Sequence, residues 1–211
     1  MSHVVLLGDS IFDNGIYVSR GSSVIDQLKT RLPSGWKATL AAVDGAVTSS
    51  VLRQLERIPE DATHLIVSAG GNNALQNSDL LRETDMTAPA AFTELANAHQ
   101  EFQKEYRTML QAVLALRLPT AVCTIYDSFP DFPAAAITAL AVFNDMIFRE
   151  AFRRGLPVAD LRLICDEHRD YSPVSPIEPS EIGGLKIVQA IYEIVTTHDF
   201  TRRQNVVYGK C

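Results

Sequence analysis

Short apolar runs alternate with longer amphipathic stretches along the whole chain. The runs at residues 4–7, 37–43, 64–68, 121–126 and 158–164 are too short for buried helices and rich in residues that suit a buried sheet, so they predict strands. Between them, apolar positions recur at helical spacing over residues 22–32, 49–58, 87–116, 134–154 and 180–197. The punctuation agrees. Pro33 closes the first helix, and Pro89 sits in the first turn of the longest one, where a missing amide hydrogen costs little. Pro119 lies just beyond that helix, and Gly155 is placed as a C-terminal stop for the next. Gly183-Gly184 weaken the first turn of the last helix.

Five strands separated by helices predict an α/β fold: a five-stranded parallel sheet covered on both faces, in three layers. The acidic segment 76–86 reads as a solvated connector, with a mobile rim as the alternative, and no internal repeat or low-complexity tract interrupts the pattern. The 211 residues fit one domain, 1–211.

Composition narrows the function classes. With 46% hydrophobic residues the chain is ordinary for a globular protein. A net charge of −6 and the lack of any Lys/Arg stripe argue against nucleic acid as partner. Cys123, Cys165 and Cys211 are odd in number and irregularly spaced, which suggests reduced thiols rather than a disulfide framework or a zinc site. Cys123 reads as core and Cys211 as an exposed, oxidisable terminus. Met1-Ser2-His3 runs straight into four apolar residues, too few for a signal core or a membrane span. A cytoplasmic protein without membrane contact is the expectation, and its oligomeric state is left open.

In open parallel sheets, ligands bind beyond the carboxyl ends of the strands. Three small, polar turns fall at such ends: Gly8-Asp9-Ser10, Asp44-Gly45 and Gly70-Gly71-Asn72-Asn73. Each alone is an adequate turn or helix cap. Together, in this order and at this spacing, they resemble the SGNH/GDSL hydrolases, the lipase/esterase family. Gly8-Asp9-Ser10 matches the first block, Gly45 the second-block glycine, and Gly70 to Asn73 the third block, Gly-x-Asn-Asp. Residues 176–191 resemble the fifth block and final helix. The resemblance spans nearly the whole chain and implies a flavodoxin-like fold and hydrolysis of a small-molecule ester of a small acyl or acetyl group. It also implies Ser10 as nucleophile and an oxyanion hole made by Ser10, Gly45 and Asn72, with no cofactor or metal. Such a hole needs donors aimed at the developing oxyanion, and an asparagine amide offers two N–H groups.

The resemblance breaks at the base. The family's Asp-x-x-His before Pro-Ser reads Ser175-Pro176-Ile177-Glu178 here, so Glu178 holds the histidine position and Ser175 the aspartate position. The third block ends in Asn73 instead of aspartate. A serine hydroxyl needs a neighbouring base to attack. Four readings stand. Glu178 is the base, its pKa raised by burial from about 4.3 towards about 6–7; His168 serves instead; carboxylates such as Asp9, Asp13 and Glu178 bind a metal; or the protein is a non-catalytic small-molecule or carbohydrate-binding pseudoenzyme. His3, His64, His99 and His198 read as structural or solvated. Glu178 also has a bland reading as a favourable charge at a helix start.

Overall fold

A computed structural model describes residues 1–18, 21–82 and 85–210; Cys211 lies outside the described residues. The chain forms strands β1 (His3–Gly8), β2 (Lys37–Leu40), β3 (His64–Ser68), β4 (Thr120–Cys123), β5 (Val158–Ala159) and β6 (Val207–Tyr208). Helices are α1 (Val24–Arg31), α2 (Thr48–Gln54), α3 (Gly71–Leu75), α4 (Ala88–Ala115), α5 (Ala134–Arg154), α6 (Leu161–Ile164) and α7 (Glu181–Thr197). The strands make one sheet in the order β2-β1-β3-β4-β5-β6, with every pairing parallel.

This is the expected α/β fold with one correction: the sheet has six strands among the described residues, not five. The sixth was hidden because Val207–Tyr208 is a two-residue strand behind the polar stretch 201–205. It extends the sheet past β5, with Val158 and Ala159 opposite Val207 and Tyr208. The segment 158–164, expected to hold the fifth strand and its trailing loop, gives the strand only its first two residues, Val158–Ala159. Asp160 stops it, its side chain accepting from the Arg162 amide as the cap of α6.

Alternation along the strands builds the three layers, because successive side chains point to opposite faces. Val4 and Leu6 of β1 pack with Leu28 of α1 and Ile187, Ile191 and Ile194 of α7. Val5 and Leu7 pack on the other face with Phe102, Tyr106 and Leu110 of α4 and Ile147 of α5. With both faces covered, all six residues of β1 are buried. The chain leaves β1 for β2 on one side and returns to β3 on the other. That reversal opens a crevice at the carboxyl ends of β1 and β3, where ligands bind in folds of this class.

The helix ends follow the sequence signals. Thr87 caps α4 and Ser180 caps α7 with side-chain acceptors, and Gly155 ends α5 with φ +67°. The helices α4 and α5 are tied together by a buried carboxylate. Glu150 of α5 accepts from Arg107 of α4 at 2.7 Å and from Arg153 at 2.6 Å, and it also pairs with Arg154. Burial alone would raise its pKa, but the hydrogen bonds and charges of Arg107 and Arg154 outweigh it and hold it at about 2.

The stabilisation from Glu150 is therefore complete above the ordinary carboxylate range and is lost as pH falls towards about 2. Glu150→Gln is expected to destabilise the fold by about 3 kcal/mol at pH 7, since it leaves a buried ion-pair network without its anion. Denaturant unfolding at pH 7 and pH 3 checks this, and the difference between native and variant should shrink at the lower pH.

Candidate functional site

The first turn of the site begins where β1 meets β3. Gly8 has φ +128°, and a Cβ there would lie 1.7 Å from the Ser68 carbonyl oxygen, so only glycine fits. Gln54, the last residue of α2, grips the two peptide groups that flank Gly8. Its Oε1 accepts from the Gly8 N–H at 2.8 Å, and its Nε2 donates to the Gly8 carbonyl at 2.7 Å. The Asp9 N–H donates to Ser68 O, and the Asp9 carbonyl then accepts from the amides of Phe12 and Asp13, both at 3.1 Å. The chain bends sharply and leaves Ser10 at the carboxyl edge of the sheet with 8% of its surface exposed.

The second and third turns are joined by Asn72. This residue is in the first turn of α3, and its Nδ2 donates to Ala46 O at 2.9 Å. The loop bearing Gly45 is braced further by Asp13, whose carboxylate accepts from the Asp44 N–H at 2.9 Å. Tyr17 adds a phenol donated to Asp44 at 2.8 Å. Gly45 takes φ +73° and is exposed, with open space where a Cβ would stand. Asn73 faces inward: its Oδ1 accepts from the Thr48 amide, and its Nδ2 donates to Thr48 Oγ1 and Glu105. That asparagine joins α2, α3 and α4 and stays out of the cavity wall.

Glu178 enters on a pinned segment. Tyr126 donates its phenol to Ile177 O at 2.8 Å, the Ser172 N–H donates to Glu178 O at 2.8 Å, and Asn14 Nδ2 donates to Pro179 O at 3.1 Å. The side chain is 4% exposed, and its Oε2 has no hydrogen-bond partner. Burial raises its pKa, with repulsion from Asp44 adding, while the hydroxyls of Ser175 and Ser10 act the other way by stabilising the carboxylate. Ser175, in the family's aspartate position, thus supports the residue in the histidine position.

Ser10, Asn72 and Glu178 line one cavity of about 120 Å³. Its walls are mostly apolar, with Leu80 and Leu81 from the segment before α4, Leu95 from α4, and Leu140 and Phe143 from α5. Segment 76–86 is therefore not a plain solvated connector: residues 78–82 form a 3₁₀ turn that closes one side of the cavity. Gly45 is not in the cavity wall; it sits one residue from Ala46, whose carbonyl Asn72 holds. His168 is exposed and lines a separate shallow depression with Arg169 and Pro173. Asp9 lines the cavity beside Ser10 at 3% exposure, its Oδ1 accepting from the Ile11 amide at 3.2 Å. Desolvation lifts its pKa to about 7, opposed by the amides it accepts from and helped by repulsion from Glu178 and Asp44. Among the described residues no three acidic, histidine or cysteine side chains group so as to hold a metal ion. Sequence reasoning missed Gln54, Asn14 and Tyr126, because their contacts join residues 46, 165 and 51 positions apart.

A model of the GDSL-like lipase/acylhydrolase family matches residues 6–183. Among solved structures, the lipase Lip_vut3 from a goat rumen metagenome aligns with a TM-score of 0.71 at 18% identity, over 90% of this chain and 95% of that one. An extracellular lipase from Streptomyces rimosus aligns at 0.64 with 19% identity, over 90% and 98%. The acetyl xylan esterase Axe2 from Geobacillus stearothermophilus aligns at 0.66 with 14% identity, over 94% and 96%. No curated protein sequence matches the chain.

Gln54→Leu tests the support of the first turn. It keeps the side-chain bulk but leaves the buried N–H and C=O of Gly8 without partners, each bond worth about 1–3 kcal/mol when left unmade. Thermal and denaturant unfolding should show a loss of about 2–5 kcal/mol.

Proposed function

The chain belongs to the GDSL-like lipase/acylhydrolase family, and on that premise we propose that it is a serine hydrolase of small acyl esters in which Glu178 replaces the customary histidine. The observation that carries this reading is that Ser10 and Glu178, both buried, line the same cavity, where burial raises the Glu178 pKa. A raised carboxylate pKa is what a Glu base requires, since it must be ionised to accept a proton yet basic enough to hold it.

In this mechanism the Ser10 Oγ attacks the ester carbonyl carbon while its proton passes to Glu178. The negative charge moves from the carboxylate to the carbonyl oxygen, where the second N–H of Asn72 and the amide of Ser10 are its donors, Gly45 standing outside the cavity wall. Collapse of the tetrahedral species breaks the bond to the alcohol, which leaves with the proton from Glu178. Water then repeats the sequence on the acyl-enzyme and frees the acid and Ser10. The acyl group occupies the apolar part of the cavity. Its volume is comparable to sites that hold a guest of about benzene size, so a chain of several carbons fits better than acetyl. The buried, unpaired thiols of Cys123 and Cys165 suit a reducing compartment, and we place the protein in the cytoplasm.

The loss of the histidine favours one other reading, a binding protein that keeps the cavity without turnover. Steady-state kinetics on aryl esters separate the two. Ser10→Ala should lower kcat by about 10⁴-fold or more, and Glu178→Gln by about 10²–10⁴-fold, with His168→Ala unchanged. Full activity in Glu178→Gln together with loss in His168→Ala would overturn the assignment, and no turnover in the native protein would favour the binding reading. Across acetyl to hexanoyl esters kcat/KM should rise by at least about tenfold, as each buried CH₂ contributes about 0.8 kcal/mol.

A further inference from the structure

Two neighbouring asparagines in the first turn of α3 face different ways. Asn72 lines the cavity and holds Ala46 O, while Asn73 is buried and turns its amide to Thr48 and Glu105. Every polar group of the Asn73 side chain is used. Its Oδ1 accepts from the Thr48 N–H at 3.0 Å, and its Nδ2 donates to Thr48 Oγ1 at 3.1 Å and to Glu105 Oε2 at 2.8 Å. The Thr48 hydroxyl closes the triangle by donating to the same Glu105 oxygen at 3.1 Å.

The polarity of this triangle leaves one choice at position 73. A backbone N–H only donates and a carboxylate only accepts, so the residue between them must offer one acceptor and one donor. Asparagine does. An aspartate would set a second carboxylate oxygen against Glu105 where the amide nitrogen now stands at 2.8 Å, and like charges so close repel. The family's third block ends in aspartate; here the carboxylate stands on α4 instead, and the amide opposite it completes the set.

What the triangle holds is the frame of the site. Thr48 is the first residue of α2, and Gln54, its last, grips the peptide groups that flank Gly8. Helix α2 is therefore a strut with the turn of Ser10 at one end and the loop of Ala46 at the other. Asn72 and Asn73 seize that loop at two points, Ala46 O and the Thr48 N–H. We infer that Glu105 is a positioning residue of the reaction: through Asn73 it fixes α3 against α2 and so sets the placement of Asn72 and of its oxyanion-binding N–H. For turnover this rests on the role proposed above for Asn72; the matching of the Glu105 carboxylate to the Asn73 amide does not.

Exchanging the two groups tests the match without any need for turnover. Asn73→Asp should lower the melting temperature by about 5 °C or more. Adding Glu105→Gln should bring it back to within about 2 °C of the native value, because the new amide donates to the new carboxylate. Independent effects would simply add. An Asn73→Asp variant as stable as the native protein overturns the match, and so does a double variant that is no more stable than Asn73→Asp or does not fold. The second arm is steady-state kinetics on a butyryl aryl ester, well below each melting temperature so that loss of folded protein does not enter. Glu105→Leu removes the acceptor and should lower kcat by about 10²-fold, the cost of a displacement of about 1 Å at a reacting centre, with KM within about threefold. Glu105→Gln keeps an acceptor and should stay within about threefold of the native kcat. The exchanged pair should recover most of the kcat that Asn73→Asp loses. An unchanged kcat in Glu105→Leu, or a loss carried by KM, overturns the positioning role. If the native protein hydrolyses no ester, the hydrolase reading and the positioning role fail together, and the melting curves still decide the match.

Discussion

The approach of β1 to β3 at Gly8 is the constraint from which the rest of the site follows. The Ser68 carbonyl occupies the place a side chain would need, so the strand can pass only as glycine. The peptide groups on either side of that residue are then held by the side-chain amide of Gln54. Because the backbone is fixed at this point, the next two side chains have little choice of direction. Asp9 and Ser10 both enter the crevice opened by the reversal of strand order. A buried turn with the backbone groups of Gly8 and Asp9 held by hydrogen bonds is a rigid mount, which is what a nucleophile would need to act without reorganisation.

The same rigidity extends across the crevice. Asn72 ties the loop of Gly45 to α3, and the segment of Glu178 is fastened by Tyr126, Ser172 and Asn14. Each fastening is a backbone carbonyl taken by a donor from another part of the chain, a side chain in three cases and the Ser172 amide in the fourth. The cavity between them is apolar on its far walls and acidic beside the serine. That contrast gives the carboxyls their elevated pKa values, since burial penalises their charged forms with no cation to compensate. A histidine in the usual position would be neutral at rest and positive in the transition state. A glutamate acting there would be negative at rest and neutral then, so the replacement lowers the charge of the site by one unit at both stages.

The central fold was legible because its signals are local. Val4 to Leu7 alternate between two apolar layers, Pro89 and Gly155 mark helix ends, and Ser180 caps the last helix through its own hydroxyl. The sixth strand was not legible, because two residues carry no period and Val207 and Tyr208 become a strand only by pairing with β5. At the site, the motifs located Ser10, Asn72 and Glu178, which share the cavity. They did not show that Gly45 stands outside its wall, which depends on how the 44–46 turn is braced by Asp13 and Tyr17. Asp9 was read as part of a motif; its isolation from cations is a property of the assembled cavity. Segment 76–86 looked polar along the sequence, yet Leu80 and Leu81 line the cavity.

The central claim is that Ser10 is a nucleophile activated without a histidine. Reaction of the native protein with a fluorophosphonate, followed by peptide mass spectrometry, addresses it most directly. The account predicts a single covalent adduct on Ser10 that forms far more slowly in Glu178→Gln and at an undiminished rate in His168→Ala. An adduct on another residue, or labelling of Ser10 that proceeds equally in Glu178→Gln, would contradict it.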